Sequence, residues 1–121
     1  ISGGQASAAG GNVMMSGVGT INLKGGTIAD GQANLAGNVQ IGGNCTMTMT
    51  GGSIRNNTAD GLGGGVYLAG TGATIGGDAV ITGNTAGRDG GGVYYGNSYL
   101  SDPYRFTMSG GMISGNTASS L

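Results

Sequence analysis

The sequence has no histidine and no glutamate, and it uses lysine, cysteine and proline once each in 121 residues. Without histidine the chain cannot form a Ser-His-Asp triad or a histidine-ligated zinc site. The single cysteine, Cys45, excludes a disulfide within the chain. Because lysine and glutamate are common in cytosolic proteins, their scarcity favours a secreted repeat protein.

Charge is also scarce: charged residues make up 7% of the chain, and the formal net charge is −1. No basic patch is present that could neutralise phosphates, which argues against a nucleic-acid partner. No apolar run is long enough to insert into a membrane, and no signal peptide is visible. The first residue is Ile1 rather than Met, which predicts a processed chain or a fragment of a longer repeat protein.

Glycine, in contrast, is abundant, with 31 residues. The glycines have no three-residue period, which excludes a collagen helix. Disordered chains are usually charged and poor in apolar residues, whereas 37% of this chain is hydrophobic. We therefore expect one folded domain over residues 1–121 in which apolar side chains are buried and glycines form the corners.

One repeat explains this mixture. An isoleucine followed five residues later by an alanine occurs five times, with successive spacings of 27, 26, 27 and 32 residues. Each of the first four anchors is followed by two further apolar stretches, such as "GGVYL" at 64–68 and "TMTMTGG" at 46–52. The predicted units are about 1–27, 28–53, 54–80 and 81–112, with the start of a fifth at 113–121.

Each stretch alternates apolar and polar residues, which predicts short, half-buried strands. Strands this short cannot bury their faces alone, so each must stack on its copies in the neighbouring units. The sequence therefore predicts an all-β fold: a parallel β-helix, or β-solenoid, of about four coils of 26–32 residues with three short strands each.

Stacking of the coils predicts interior columns of like residues. We expect apolar columns of the anchor isoleucines, of the alanines that follow them, of the valines in the second stretch and of the Met/Leu residues in the third, and asparagines at two phases (Asn12 and Asn38 at one) whose amides hydrogen-bond along the stack. The predicted members include Val13, Val39, Val66 and Val93; Ile28, Ile54, Ile81 and Ile113; and Asn57, Asn84 and Asn116.

The chain resembles the polymorphic outer-membrane protein repeats in its GG-aliphatic motifs: "GGTI" (25–28), "GGSI" (51–54), "GGVY" (64–67 and 91–94) and "GGMI" (110–113). The stretches "IRNN", "ITGN" and "ISGN" resemble the F-x-x-N motif of that family, with isoleucine in place of phenylalanine. "FTMSGGMISGNTA" and "GGGVY" are similar to the repeats of large bacterial cell-surface β-helix proteins. The resemblance implies a right-handed parallel β-helix that is secreted, displayed and usually non-enzymatic, and that serves as an adhesin stalk or surface fibre.

The fourth unit contains an insertion, 94–106, that holds four of the five tyrosines and the only proline. Insertions at the corners of solenoids often carry recognition, and tyrosine with arginine is typical of protein and glycan contacts. The candidate binding residues are Tyr94, Tyr99, Tyr104 and Arg105, and a host glycan or surface protein is the expected ligand. A loop that only covers the solenoid is the alternative.

Other chemistry has weaker support. Asp60 and Asp89 lie in similar "DG" stretches and are expected to be solvated turn residues, with a weak calcium site as the minor alternative. The outward threonines of "TMTMT" resemble the face of ice-binding solenoids, although Lys24 and Arg105 interrupt the array. Polysaccharide lyases also use this fold, but they cluster acids and bases on one face. We expect no catalytic residue, no metal and no cofactor.

The ends of a solenoid expose unpaired strands unless something caps them, and no cap is visible in the sequence. The predicted function is therefore structural and adhesive: a secreted bacterial β-solenoid that associates end to end into an extracellular fibre or stalk. The alternative is a binding module that uses the tyrosine-rich loop, and the remote alternatives are ice binding and lyase activity.

Overall fold

The computed structural model describes residues 1–69, 72–96 and 105–119, which form a β-solenoid of parallel strands. The described residues contain strands, turns and bends but no helix. No helix long and apolar enough to cross a membrane occurs in these ranges. The strands are β1 Gln5–Ala6, β2 Val13–Met15, β3 Val18–Leu23, β4 Thr27–Ala29, β5 Gln32–Ala33, β6 Val39–Ile41, β7 Asn44–Met49, β8 Ser53–Arg55, β9 Thr58–Ala59, β10 Val66–Ala69, β11 Gly72–Ile75, β12 Val80–Thr82, β13 Thr85–Ala86, β14 Val93–Gly96, β15 Phe106–Met108, β16 Met112–Ser114 and β17 Thr117–Ala118.

The strands form four parallel sheets, and the chain visits the sheets in a constant order. We name each sheet by a residue type that recurs along it. The Val sheet holds β2, β6, β10 and β14; the Thr sheet β3, β7, β11 and β15; the Ile sheet β4, β8, β12 and β16; and the Ala sheet β1, β5, β9, β13 and β17.

Within the described residues each complete repeat contributes four strands, whereas the sequence predicted three. The anchor isoleucine lies in the Ile sheet, and the alanine five residues later lies in the Ala sheet. Between them the chain bends at a residue with positive φ, a conformation that favours glycine and is tolerated by asparagine and aspartate. The bend residues are Gly3, Asp30, Asn56, Gly83 and Gly115, with φ between 55° and 70°.

The register places equivalent residues directly over one another. Val39 lies opposite Val13 on one side and Val66 on the other, and Val66 lies opposite Val93. The anchor isoleucines form a second column. Its pairs are Ile28 with Ile54, Ile54 with Ile81, and Ile81 with Ile113.

These columns form a continuous hydrophobic core. The central members are fully buried, as Val39, Ile54 and Ile81 illustrate at 0% exposure. Cys45 is also buried in this core, as a free thiol. Because each strand contributes only one to three inward side chains, burial depends on the repeats above and below rather than on any single repeat.

A column of asparagines runs along the bend between the Ile and Ala sheets. The Oδ1 atom of Asn84 accepts the backbone N–H of Asn57 at 3.0 Å and its side-chain Nδ2–H at 3.0 Å. Asn116 does the same for Asn84, at 2.9 and 3.0 Å. The Nδ2 of Asn84 donates to the carbonyl of Ile54 at 3.0 Å. Each asparagine thus bridges two repeats, and the column satisfies backbone groups that the bend removes from the sheets.

Each complete repeat supplies one asparagine to this region, but its position in the sequence changes. In the third and fourth repeats, asparagine follows the bend and glycine precedes the column valine, whereas the first two repeats exchange the two residue types. The pairs are Gly4 with Asn12, Gly31 with Asn38, Asn57 with Gly65, and Asn84 with Gly92. A Cβ at Gly65 would lie 3.0 Å from Cγ of Asn84, so the space between positions 65 and 84 has room for only one side-chain amide.

The exchanged asparagines also connect neighbouring repeats. Asn12 accepts the N–H of Gly4 at 2.9 Å and donates to Oδ1 of Asn57 at 3.0 Å. Asn38 donates to the carbonyl of Gly64 at 3.0 Å, but its buried Oδ1 has no hydrogen-bond partner in the described part of the chain. Asn38 belongs to the second repeat, which has glycine after the bend and lies next to the third repeat, which has asparagine there.

Candidate functional site

The outer face of the Val sheet carries the most distinctive surface feature of the solenoid. Along its strands the inward valine alternates with an outward residue, since successive side chains of a strand point to opposite faces. The register aligns the outward residues Met14, Gln40, Tyr67 and Tyr94 in one column. This column runs parallel to the core and ends on two aromatic rings.

Tyr67 and Tyr94 stack on each other. Their ring centroids are 5.4 Å apart, and the ring planes are inclined by only 2°. Both side chains are half-buried. A centroid distance in this range is typical of offset aromatic pairs, which contribute about 0.5–1.5 kcal/mol beyond the area they bury.

Glycines allow the chain to pack closely against the residues of this column. A Cβ at Gly37 would lie 2.6 Å from the Cβ of Tyr67, and a Cβ at Gly90 would lie 2.8 Å from that of Tyr94. On the same strand as Tyr94, a Cβ at Gly96 would lie 3.0 Å from the ring atom Cε1. The ring of Tyr94 therefore occupies the space where a side chain at position 96 would stand.

The structure thus brings together two tyrosines, of which the sequence predicted one. Tyr94 is among the predicted binding residues, whereas Tyr67 lies 27 positions earlier, outside the predicted loop. The signal for Tyr67 was present in the repeated "GGVY", whose register places the two tyrosines side by side. Tyr95, the next residue, points to the core side and lies 6.2 Å from the ring of Phe106.

The remaining predicted binding residues are not part of this pair. Arg105 is exposed, and its carbonyl accepts the N–H of Ala73 at 2.9 Å at the edge of the Thr sheet. Tyr99 and Tyr104 lie outside the described residues. The predicted association of all four residues in one binding loop therefore remains a prediction.

The outer face of the Thr sheet carries an array of hydroxyl groups. Thr20 and Thr46 share a hydrogen bond of 3.0 Å between their Oγ1 atoms. In the next column Thr48 lies between Asn22 and Thr74, and Thr74 lies opposite Thr107. These are the outward positions that the alternation in "TMTMT" predicted.

The acidic residues are dispersed. Asp60 and Asp89 are both exposed, and their backbones take part in contacts between repeats. Within residues 1–69, 72–96 and 105–119, no group of three or more cysteine, aspartate, glutamate or histidine side chains could hold a metal ion. The calcium site considered for Asp60 and Asp89 has no additional ligand of these types within that part of the chain.

Both end faces of the described stack are partly apolar. A hollow of about 530 Å³ at one end is lined by residues that include Val93, Phe106 and Ile113. At the other end, a hollow of about 340 Å³ is lined by residues that include Val13 and Ile21. These side chains belong to the same columns that are fully buried in the middle of the solenoid.

Comparison of the chain with protein-family models, with curated proteins and with solved structures gave no match.

Proposed function

We propose that this protein is a non-enzymatic structural solenoid of a secreted bacterial surface protein, and that it associates end to end into an extracellular fibre or stalk. The observation that carries the proposal is the continuity of the interior columns up to both end faces. The valine and isoleucine columns are buried at the centre of the solenoid, whereas their end members Val13, Val93 and Ile113 are only half-buried. A further parallel coil would bury these side chains and pair the strand edges beside them.

Several features support a role outside the cell. The chain has no glutamate, one lysine and few charges, and its glycine motifs resemble those of displayed bacterial β-helix repeats. Its outward residues in the Thr sheet are mainly threonine, which suits a stable strand face rather than acid-base catalysis. We also infer that the solenoid winds right-handed in about four coils, because connections between parallel strands are right-handed in about 98% of cases. A crystal structure with left-handed winding would contradict this inference.

End-to-end association predicts that the sedimentation mass of the purified chain rises with concentration and that electron micrographs show rods of increasing length. Val93→Lys places a charge on an end face and is expected to keep the protein monomeric across the same range. Thr48→Lys adds the same charge to the outer face and should leave association unchanged. A wild-type chain that stays monomeric at every concentration, or equal association of both variants, would contradict the proposal.

A second candidate function is recognition of a host glycan or surface protein. The Tyr67–Tyr94 stack favours it, because tyrosine pairs on a rigid surface are common at binding sites. This role is compatible with the first, since the stack lies on the side of the solenoid rather than on an end face.

A further inference from the structure

The column on the outer face of the Val sheet combines aromatic surface with the absence of charge in the described residues. Its outward residues are Met14, Gln40, Tyr67 and Tyr94, aligned by the parallel register. Next to the two tyrosines along the same strands lie the small residues Ala69 and Gly96. No charged side chain is among the outward residues of this sheet in the described ranges.

The two tyrosines are held in place before any ligand binds. Tyr67 lies on β10, whose inward residues, Val66 and Leu68, are almost completely buried at 1% and 0% exposure, whereas the inward residues of β14 below Tyr94 are half-buried. The chain at Gly37 and Gly90 packs closely against the base of each tyrosine, since a Cβ there would lie 2.6 or 2.8 Å from a tyrosine Cβ. A rigid aromatic pair loses little side-chain entropy on binding, which favours affinity.

The chemistry of this surface suits a sugar ring. A pyranose has an apolar face of C–H groups and a rim of hydroxyls, and a tyrosine offers an apolar ring with one hydroxyl that can donate and accept. In the described residues Tyr94 is the last member of its column, so no further ring of the column covers its second face. An anionic sugar would find no cation on this sheet, whereas a neutral sugar requires none.

We infer that the outer face of the Val sheet binds a neutral polysaccharide chain, with Tyr67 and Tyr94 as the contact residues. The inference rests on the recognition role proposed above and names its ligand class and its site. It also moves the site from the predicted loop to the regular face of the solenoid. The site lies on the side of the solenoid, and its Tyr94 end borders the end face at which a further coil would stack.

Affinity electrophoresis tests the inference, with the full chain run through gels that contain neutral mannan, neutral β-glucan or anionic polygalacturonate. Retardation is expected in at least one neutral gel. Tyr67→Ala and Tyr94→Ala should each weaken the apparent Kd at least tenfold. Thr48→Ala, an outward substitution on the Thr sheet, should leave the Kd unchanged. Tyr67→Leu keeps apolar volume without the ring and should weaken binding as Tyr67→Ala does, provided that circular dichroism shows both variants folded.

The possible failures are distinguishable. Retardation only by polygalacturonate would overturn the neutral ligand class but leave the recognition role standing. Retardation by none of the three, with binding to a protein partner instead, would also overturn the inference. Binding that is unchanged in both tyrosine variants would place the site elsewhere. The sedimentation experiment above reports on the structural role separately.

Discussion

Replacing Asn84 by alanine is expected to lower the free energy of unfolding by about 3–5 kcal/mol. The substitution removes the acceptor of the Asn57 backbone N–H and of the Asn57 side-chain amide, and the donor to the carbonyl of Ile54. Asn57 and Asn84 are both 0% exposed, so no water can replace the lost partners. Each buried group left unpaired costs about 1–3 kcal/mol.

Urea unfolding followed by circular dichroism measures this loss. Asn22→Ala is the matched control, because Asn22 is exposed on the outer face of the Thr sheet and contributes to no asparagine column. Its effect is expected to stay within about 0.5 kcal/mol. Similar losses for the two variants would show that the column at the bend does not stabilise the fold in the way described.

The exchange of glycine and asparagine between repeats predicts a rescue. Gly65→Asn alone should destabilise the fold, because the new side chain would enter the volume occupied by the amide of Asn84. Asn84→Gly alone should cost about as much as Asn84→Ala. Together they keep one amide in the shared volume but attach it before Val66, as Asn12 and Asn38 stand before Val13 and Val39. The sequence "GGN" at 63–65 would then match Gly10–Gly11–Asn12.

A double-mutant cycle measures the rescue. The double variant is expected to be more stable than the sum of the two single effects by about 2 kcal/mol. The two substitutions lie in the same part of the column. If each destabilised the fold only by loosening that part, the loss of stability in the double variant would equal or exceed the sum of the two single losses. Additive effects would therefore contradict the exchange, even if each single variant were destabilised as expected.

Most of the fold could be predicted from the repeat period. Because the isoleucine and valine columns recur at a nearly constant spacing, the parallel β-solenoid and its interior columns followed from the sequence. The number of strands did not follow, since the bend between the Ile and Ala sheets depends on a single φ value. Asp30 and Asn56 adopt that φ without any glycine to indicate it. Their neighbours look like one continuous stretch in the sequence.

The candidate site was only half predictable. Tyr94 was predicted as a binding residue because it begins a tyrosine-rich insertion, whereas Tyr67 lies in a regular repeat. The two rings stack because their strands are in register. The sequence predicts such a pair only when the outward residues of neighbouring repeats are compared with one another. Likewise Asn12 and Asn38 differ in sequence position from Asn57 and Asn84, yet they serve the same bend. Residues at different positions of the repeat can thus serve the same bend, because their side chains reach the same space.

The central claim, that equivalent residues lie one strand apart in neighbouring repeats, is tested most directly by disulfide formation. In a Cys45→Ala background, cysteines at Thr48 and Thr74 replace outward residues that lie directly opposite each other. Neighbouring parallel strands are about 4.8 Å apart, within the Cα separation of a disulfide. Cysteines at Thr48 and Thr107 belong to the same column but are separated by the strand that holds Thr74.

Mild oxidation followed by mass spectrometry reports which pair closes within one chain. We expect the pair at positions 48 and 74 to form an intramolecular disulfide and the pair at 48 and 107 to remain reduced, because about 9.6 Å separates strands two apart. Preferential closure of the pair at 48 and 107, or no closure of either pair in a folded chain, would contradict the solenoid.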